Sequence, residues 1–311
     1  METKKLECIE SLDGFSFTEE DFKKHLTEWV HGIKNEYIYW NECIKSKGKG
    51  YTLNWHELIS DDRAFNLEKY LSLPDTKFID IGSGPFSSTG LKTSKTNLEF
   101  YAIDPLAYGY KLLKSKYKIF SGITPEFGIL ELLSEKYQKG KFDIVHMRNS
   151  LDHSFNSLWG ILQMFYICKI GGKIILKHFQ NEAELQVYSG FHQWNIDIDG
   201  GDYLIWRPGL VYNITKIFQD HANVVIEGGE ADDIGWITVV IEKKKDIPLE
   251  NDIQKTLNVI LNEEVFKILS EILAFQALSM IPIYKINTFV YKIPVLGKWL
   301  RLIWRKIWKK D

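Results

Sequence analysis

Cysteine is scarce in this chain of 311 residues, and the three present, Cys8, Cys43 and Cys168, are odd in number and share no metal-ligand spacing. A disulfide framework and a zinc ribbon are thereby disfavoured, and a reducing compartment is the expectation. Long apolar runs are missing as well. No uncharged stretch, Ile272–Tyr284 among them, reaches the roughly 20 apolar residues that span a bilayer. The opening METKKLECIESLDGF carries no signal-peptide apolar region, so a cytoplasmic location is expected. No internal repeat or low-complexity tract breaks the sequence.

An excess of one charge is absent from the total, which is −2, but not from its distribution. Residues 285–311 hold eight Lys/Arg against one acid, Asp311, which leaves about −9 on residues 1–284. An acidic body argues against nucleic acid as a partner, because neutralising phosphates takes Lys and Arg on the working face. The basic tail is patterned. In VLGKWLRLIWRKIWKK (295–310), Leu296, Trp299, Leu300, Ile303, Trp304, Ile307 and Trp308 recur every three or four residues, with Lys298, Arg301, Arg305 and Lys309 on the other side. A helix there sets a Trp-rich face against a basic one, as interfacial helices do on anionic lipid. Residues 294–311 are therefore expected to bind an anionic membrane surface, making the protein peripheral on the inner face of the cell membrane. The competing expectation is a terminal helix docked on residues 249–290.

What is present reads as globular: 45% hydrophobic and 26% charged residues. Phe22, Leu26, Trp29, Val30, Ile33, Tyr37, Trp40 and Ile44 recur at helical spacing and predict a helix over 17–46. A short helix is expected near 61–71. Strands are predicted at 77–82, 98–104, 116–120, 142–147, 172–179, 223–229 and 236–244. Helices are predicted near 105–115, 126–138, 155–168 and 210–220. This alternation predicts a parallel α/β sheet. Three parts are expected: an N-terminal helical cap (1–72), an α/β cofactor domain (73–245) and a C-terminal helical extension with the basic amphipathic tail (246–311).

The first chemical signal is FIDIGSGPFSSTG (78–90), read as a strand running into a glycine-rich turn and then a helix. Such a turn gives a ligand close access to backbone N–H groups. Asp80 sits inside the apolar strand, where a carboxylate is costly without a partner, and Asp104 ends the next strand. A nicotinamide-type GxGxxG is not met, since Ser87 stands at the last position. The acid two residues before the first glycine instead resembles motif I of class I S-adenosylmethionine (SAM)-dependent methyltransferases. That resemblance implies SAM as cofactor and a Rossmann-like sandwich with a mostly parallel seven-stranded sheet. It implies that Gly82, Ser83 and Gly84 line the methionine end, that Asp80 holds the amino group and that Asp104 holds the ribose. Pro105, Arg148 and Asn149 join the same wall. Phe86 replaces a glycine common in the family. Ile129 and Leu130, in FGILELL, fall where the family offers an apolar slot beside an acid, and are left unassigned.

The fourth strand leads into FDIVHMRNSLDHS (142–154), at the end that faces the transferring methyl in this family. No [DNS]PP[YFW] motif follows, which disfavours amino-methylation of a base. His153 suits removal of a hydroxyl proton because imidazole titrates near neutrality, and His178 is the second choice. Glu182 and Asn195 are expected to orient the acceptor. Asp152, Asn181, Glu184, Tyr188, His192, Gln193 and Trp194 complete a polar and aromatic set suited to the faces and hydroxyls of a sugar. The plain alternative is a helix over 181–189 followed by a surface loop. Asp152–His153 and Glu182/Glu184 offer Mg²⁺ ligands, but no metal is assigned. RNSLDHS together with H-x-x-NEAE…YxGFHQWN resembles bacterial methyltransferases of surface-polysaccharide biosynthesis, over roughly residues 35–245. The resemblance implies O-methylation of a sugar in an O-antigen or capsule glycan, with a glycan or glycolipid acceptor. Two other readings stand beside it: a methyltransferase acting on a quinone or lipid, and a non-catalytic scaffold for glycan-assembly enzymes.

Overall fold

The computed structural model describes residues 7–15, 19–50, 54–120, 122–227 and 235–247. Strand β1 (Glu7–Ile9) precedes the long helix α1 (Glu19–Lys45) and the short α2 (Trp55–Leu58). The chain then alternates through β2 (Asp75–Ile81), β3 (Asn97–Asp104), α3 (Ala107–Lys116), β4 (Glu126–Phe127), α4 (Leu133–Lys136), β5 (Phe142–Arg148), α5 (Ser157–Ile167) and β6 (Cys168–Phe179). After α6 (Glu182–Leu185) come β7 (Asn195–Asp199), β8 (Asp202–Arg207), β9 (Leu210–Asn213), α7 (Ile214–Phe218), β10 (Ala222–Glu227) and β11 (Trp236–Lys243).

Seven strands form one sheet in the order β10-β11-β6-β5-β2-β3-β4. Strands β2 to β6 run parallel, while β11 pairs antiparallel with both β6 and β10. This is the mostly parallel seven-stranded class I methyltransferase arrangement that the glycine-turn resemblance implies. The central strands are apolar along almost their whole length because helices and loops cover both faces. Their side chains divide by parity. Ile79, Ile81, Val145, Met147, Ile174 and Leu176 enter the larger core, whereas Phe78, Ile144 and Ile175 pack with Phe65, Tyr70 and Val240 on the opposite face. Helix α5 is buried almost all round, so no polar face is visible in SLWGILQMFYI. Asn156 caps it by accepting from Trp159 N at 2.9 Å.

A second sheet, β1-β9-β8-β7, departs from the sequence reading. Asp199 and Asp202 close a hairpin around Gly200 and Gly201, both at positive φ (57° and 90°). That two-residue glycine loop suits the twist of paired strands. Three further expectations are corrected. Residues 116–120 end α3 and form no strand; the edge position is taken by the two-residue β4. The helix expected over 126–138 is reduced to a 3₁₀ turn (Leu130–Leu132) and α4, because Gly128 packs against the Ile103 side chain and Glu131 caps buried backbone. The helix expected near 61–71 is a 3₁₀ turn at Glu68–Tyr70. Residues 248–311, with the expected extension and basic tail, lie outside the described residues.

Candidate functional site

Between β2 and β5 the chain direction across the sheet reverses, since β2 is continued outward by β3 on one side and flanked by β5 on the other. Crevices at such switch points, beyond the carboxyl ends of the strands, are where open α/β sheets bind ligands. A cleft of about 650 Å³ opens there, a volume typical of small-molecule sites.

The glycine turn forms its floor. Gly82 and Gly84 have φ of 63° and 65°, a region that glycine enters without strain. A Cβ on Gly82 would overlap Ser150, with the Ser150 Cβ only 2.7 Å away, and one on Gly84 would lie 3.1 Å from the Trp40 ring. Asp104 fixes the turn: Oδ2 accepts from Gly84 N at 2.9 Å and Oδ1 from Leu106 N at 2.8 Å. Burial raises its pKa to about 7 in spite of those two N–H groups. Asp80 stands opposite His146 in the strand register, so both side chains leave the same face, and Oδ1 lies 2.7 Å from His146 Nδ1. Its Oδ2 accepts from Ser87 Oγ at 2.6 Å. Arg63, absent from the sequence reading, donates to Ser87 O behind this pair.

Two walls enclose the cleft. On one side α1 contributes Asn35, Glu36, Tyr39 and Trp40. Trp40 Nε1 donates to Glu36 Oε1 at 2.8 Å, and burial followed by the Asp104 charge raises the Glu36 pKa to about 7. Sequence reading placed Trp40 in the apolar stripe and passed over Glu36; their i,i+4 spacing on the helix was the available signal. On the other side Ile129, Leu130 and Glu131 line the cleft, the apolar slot and acid left unassigned above. Glu131 accepts from Phe155 N at 2.6 Å and Asn156 N at 3.3 Å, and burial lifts its pKa to about 7.

At the far end lies a titratable cluster. Asp152 Oδ2 is 2.7 Å from His192 Nδ1 and 3.4 Å from His153 Nε2. Burial works against ionising Asp152, but His153 and His192 outweigh it and its pKa is lowered. Burial alone would depress His192, but the Asp152 hydrogen bond raises it; at His153 burial prevails and the pKa falls. Burial, with the Asp152 charge nearby, lifts Glu182 to about 7.

Of the residues singled out from sequence, Asp80, Gly82, Ser83, Gly84, Asp104, Pro105, Arg148, Asn149, His153, Glu182 and His192 line the cleft. The others do not. Trp194 is fully buried, donating from Nε1 to Ser154 O at 3.1 Å and packing on Tyr212. Asn195 accepts from Glu184 N and donates to the Tyr188 hydroxyl, so it braces the segment after α6 instead of facing the cleft. Asn181 takes a left-handed φ of 51° and bonds Asp197 and Trp206. Gln193 bonds Gly190 O. His178 is buried beside the cluster, its pKa driven down to about 3 by burial. Thus Phe191 and His192 are the members of the FHQWN segment left at the cleft, while Trp194 and Asn195 are core and Gln193 is half-buried outside it.

No family model matches the chain, and no curated protein matches it. Solved structures do. The CurJ carbon methyltransferase is 16% identical with a TM-score of 0.39, over 57% of this chain and 50% of that one. Phosphoethanolamine N-methyltransferase 2 from Haemonchus contortus, solved with SAM, is 11% identical with a TM-score of 0.41, over 58% and 51%. A SAM-dependent methyltransferase from Aquifex aeolicus is 14% identical with a TM-score of 0.37, over 64% and 97%. This chain spans about half the length of the first two. The fold assignment itself rests on the strand order.

Proposed function

We propose that the chain is a SAM-dependent O-methyltransferase acting on a sugar hydroxyl of a bacterial cell-surface glycan. One observation carries the reading: the Gly82–Gly84 turn, clamped by Asp104 at the switch point, shares a single cleft with the titratable cluster around Asp152. The cradle fits the cofactor, since the positive φ of Gly82 and Gly84 keeps the backbone of the turn at the cleft floor and the Glu36, Asp80 and Asp104 carboxylates line the same cleft for hydroxyl and ammonium groups. When bound, SAM supplies a methyl carbon on a sulfonium centre, whose transfer leaves a neutral thioether. Asp104 and Glu36 would receive the ribose, Asp80 the amino group, and Ile129 with Leu130 the adenine face. Glu182, half-buried with a buried, unpartnered Oε2 and a pKa near neutrality, accepts the hydroxyl proton. In-line orientation of acceptor and methyl does the remaining work.

A sugar is favoured over a quinone because Asn35, Glu182, Gln186, Ser189 and His192 give the acceptor end a polar lining, whereas a quinone pocket should be mainly apolar. A lipid-linked form of that sugar is favoured by Leu185 and Val187, which flank Gln186 and are 64% and 81% exposed. Membrane association through residues 294–311 belongs to the same proposal. The test is incubation of the full chain with labelled SAM and surface-glycan extracts, followed by mass spectrometry. Label on a glycan hydroxyl supports the reading; label confined to quinones or free lipids sinks it.

A further inference from the structure

We propose that Asp152, His153 and His192 bind one divalent transition-metal ion at the acceptor end of the cleft, with Zn²⁺ the foremost occupant. The three residues each offer a ligand atom, and these atoms all lie within 4.8 Å of one another. Ligands about 2.0–2.2 Å from one metal stand roughly 3–3.5 Å apart. The Asp152–His192 and Asp152–His153 separations, 2.7 and 3.4 Å, lie close to that spacing. A side chain on its own would not fix such a triangle; the backbone does. Asp152 and His153 sit on the 3₁₀ turn Leu151–His153 just after β5, and Gln193 N donates to Asp152 O at 2.9 Å, tying the His192 segment to that turn. The Phe191 ring packs against His153 with centroids 5.2 Å apart.

A second observation points to a ligand independently of the spacing. Asp152 is 2% exposed, yet its Oδ1 has no hydrogen-bond partner. His153 Nε2 and Glu182 Oε2 are buried without hydrogen-bond partners in the same place. Buried polar atoms are nearly always satisfied, so such orphans on two of the three candidate ligands call for a missing partner. A cation would take the imidazole and carboxylate lone pairs together.

The donor set selects the class of ion. Two imidazoles and one carboxylate suit Zn²⁺, Co²⁺ or Fe²⁺, while Mg²⁺ and Ca²⁺ prefer all-oxygen shells. The Glu184 ligand that an Mg²⁺ site would have borrowed does not line the cleft. Three protein ligands leave open coordination positions, which here face the cleft through His153 and His192. The chemical consequence rests on the methyl-transfer reading above. The acceptor hydroxyl oxygen binds the ion, which lowers its pKa. Its proton passes to Glu182; an oxygen lone pair forms the new C–O bond, and the C–S bond breaks with its electrons going to sulfur.

The test uses the full-length chain, stripped with EDTA, dialysed and titrated with Co²⁺ and then Zn²⁺, read by visible absorption, elemental analysis and thermal midpoint. We expect one equivalent bound, a Co²⁺ d–d band displaced by Zn²⁺, and a rise in midpoint by mass action. His192→Gln and His153→Gln should each abolish the band, while His56→Gln, at an exposed site elsewhere, should keep it. SAM calorimetry on the same samples reports folding and tests the other reading separately. Folded wild-type protein without the band, or a band and stoichiometry unchanged in both cleft variants, overturns the metal site. Loss of SAM binding with the metal retained would overturn the methyltransferase reading instead.

Discussion

Asp104 does two things with one carboxylate. Its oxygens hold Gly84 N and Leu106 N, and the same group faces the cleft. Asp104→Ala removes a charged acceptor and orphans two backbone N–H groups, each change worth about 1–3 kcal/mol. We expect SAM affinity to fall roughly tenfold or more together with a lower thermal midpoint; calorimetry and a melting curve measure both, and unaltered affinity would dissociate Asp104 from the cofactor. Glu131 offers a pH test. Its pKa is raised from 4.5 to about 7 by burial. Between those values the folded protein binds a proton that the unfolded chain has released, so the stability present below pH 4.5 is lost as pH rises through 7. Glu131→Gln keeps an acceptor for Phe155 N and Asn156 N without the ionisation. Its midpoint should vary less across that window than the wild type's, and parallel curves would refute the assignment. At the cluster, Glu182→Gln should lower kcat by about 10²–10⁴-fold while SAM affinity survives; wild-type turnover would remove Glu182 from the reaction.

At the scale of elements, α1 is both core and wall. Trp29, Ile33, Tyr37 and Ile44 are buried, whereas Glu36 and Trp40 look into the cleft. Close approach depends on Gly32, where an added Cβ would sit 2.7 Å from two ring carbons of Phe191. Alanine gains about 1 kcal/mol of helix propensity over glycine, but overpacking a buried ring costs about 1–3 kcal/mol. Gly32→Ala should therefore destabilise modestly, as read by urea unfolding. It should also raise the acceptor KM more than the KM for SAM, because Phe191 borders the His153 end. Equal changes in both KM values would detach α1 from the acceptor side. The strand register likewise assigns Asp80 and His146 to each other: parity sends both to the face bearing Phe78, and His146 stacks there with that ring.

For the whole molecule, the proposed membrane contact rests on the charge distribution, about −9 on residues 1–284 against the basic residues 285–311. Among the described residues no helix is long and apolar enough to cross a bilayer. The basic, Trp-rich residues 294–311 instead fit interfacial binding, with each basic residue near an anionic surface contributing about 1 kcal/mol. Full-length protein should sediment with phosphatidylglycerol vesicles at low salt and a 1–293 truncation should not. Equal sedimentation would remove the anchor, and salt-independent binding would reject its electrostatic half.

The sequence by itself determined what is local in the chain. The acid before Gly82, the turn that follows it, and the apolar runs of β2, β3, β5 and β6 depend on near neighbours, so they were legible. The helix expected after that turn is absent, and the chain passes from β2 to β3 through turns and bends. The NIDID-GG-DYLIW hairpin was legible in principle, through its alternation around two glycines, but no element is expected there from the sequence. Only the tertiary structure decided which polar side chains meet. Trp194 and Asn195 look like binding residues in sequence because their types suit a sugar, yet packing against Tyr212 and the Tyr188 hydroxyl commits them to the interior. Glu36 lies 116 positions before Asp152 in the numbering, and its relation to the cleft exists because α1 folds across the strand ends. Periodicity reports a residue's face on its own element; which element that face meets is set by long-range packing, and the site is made at that second level.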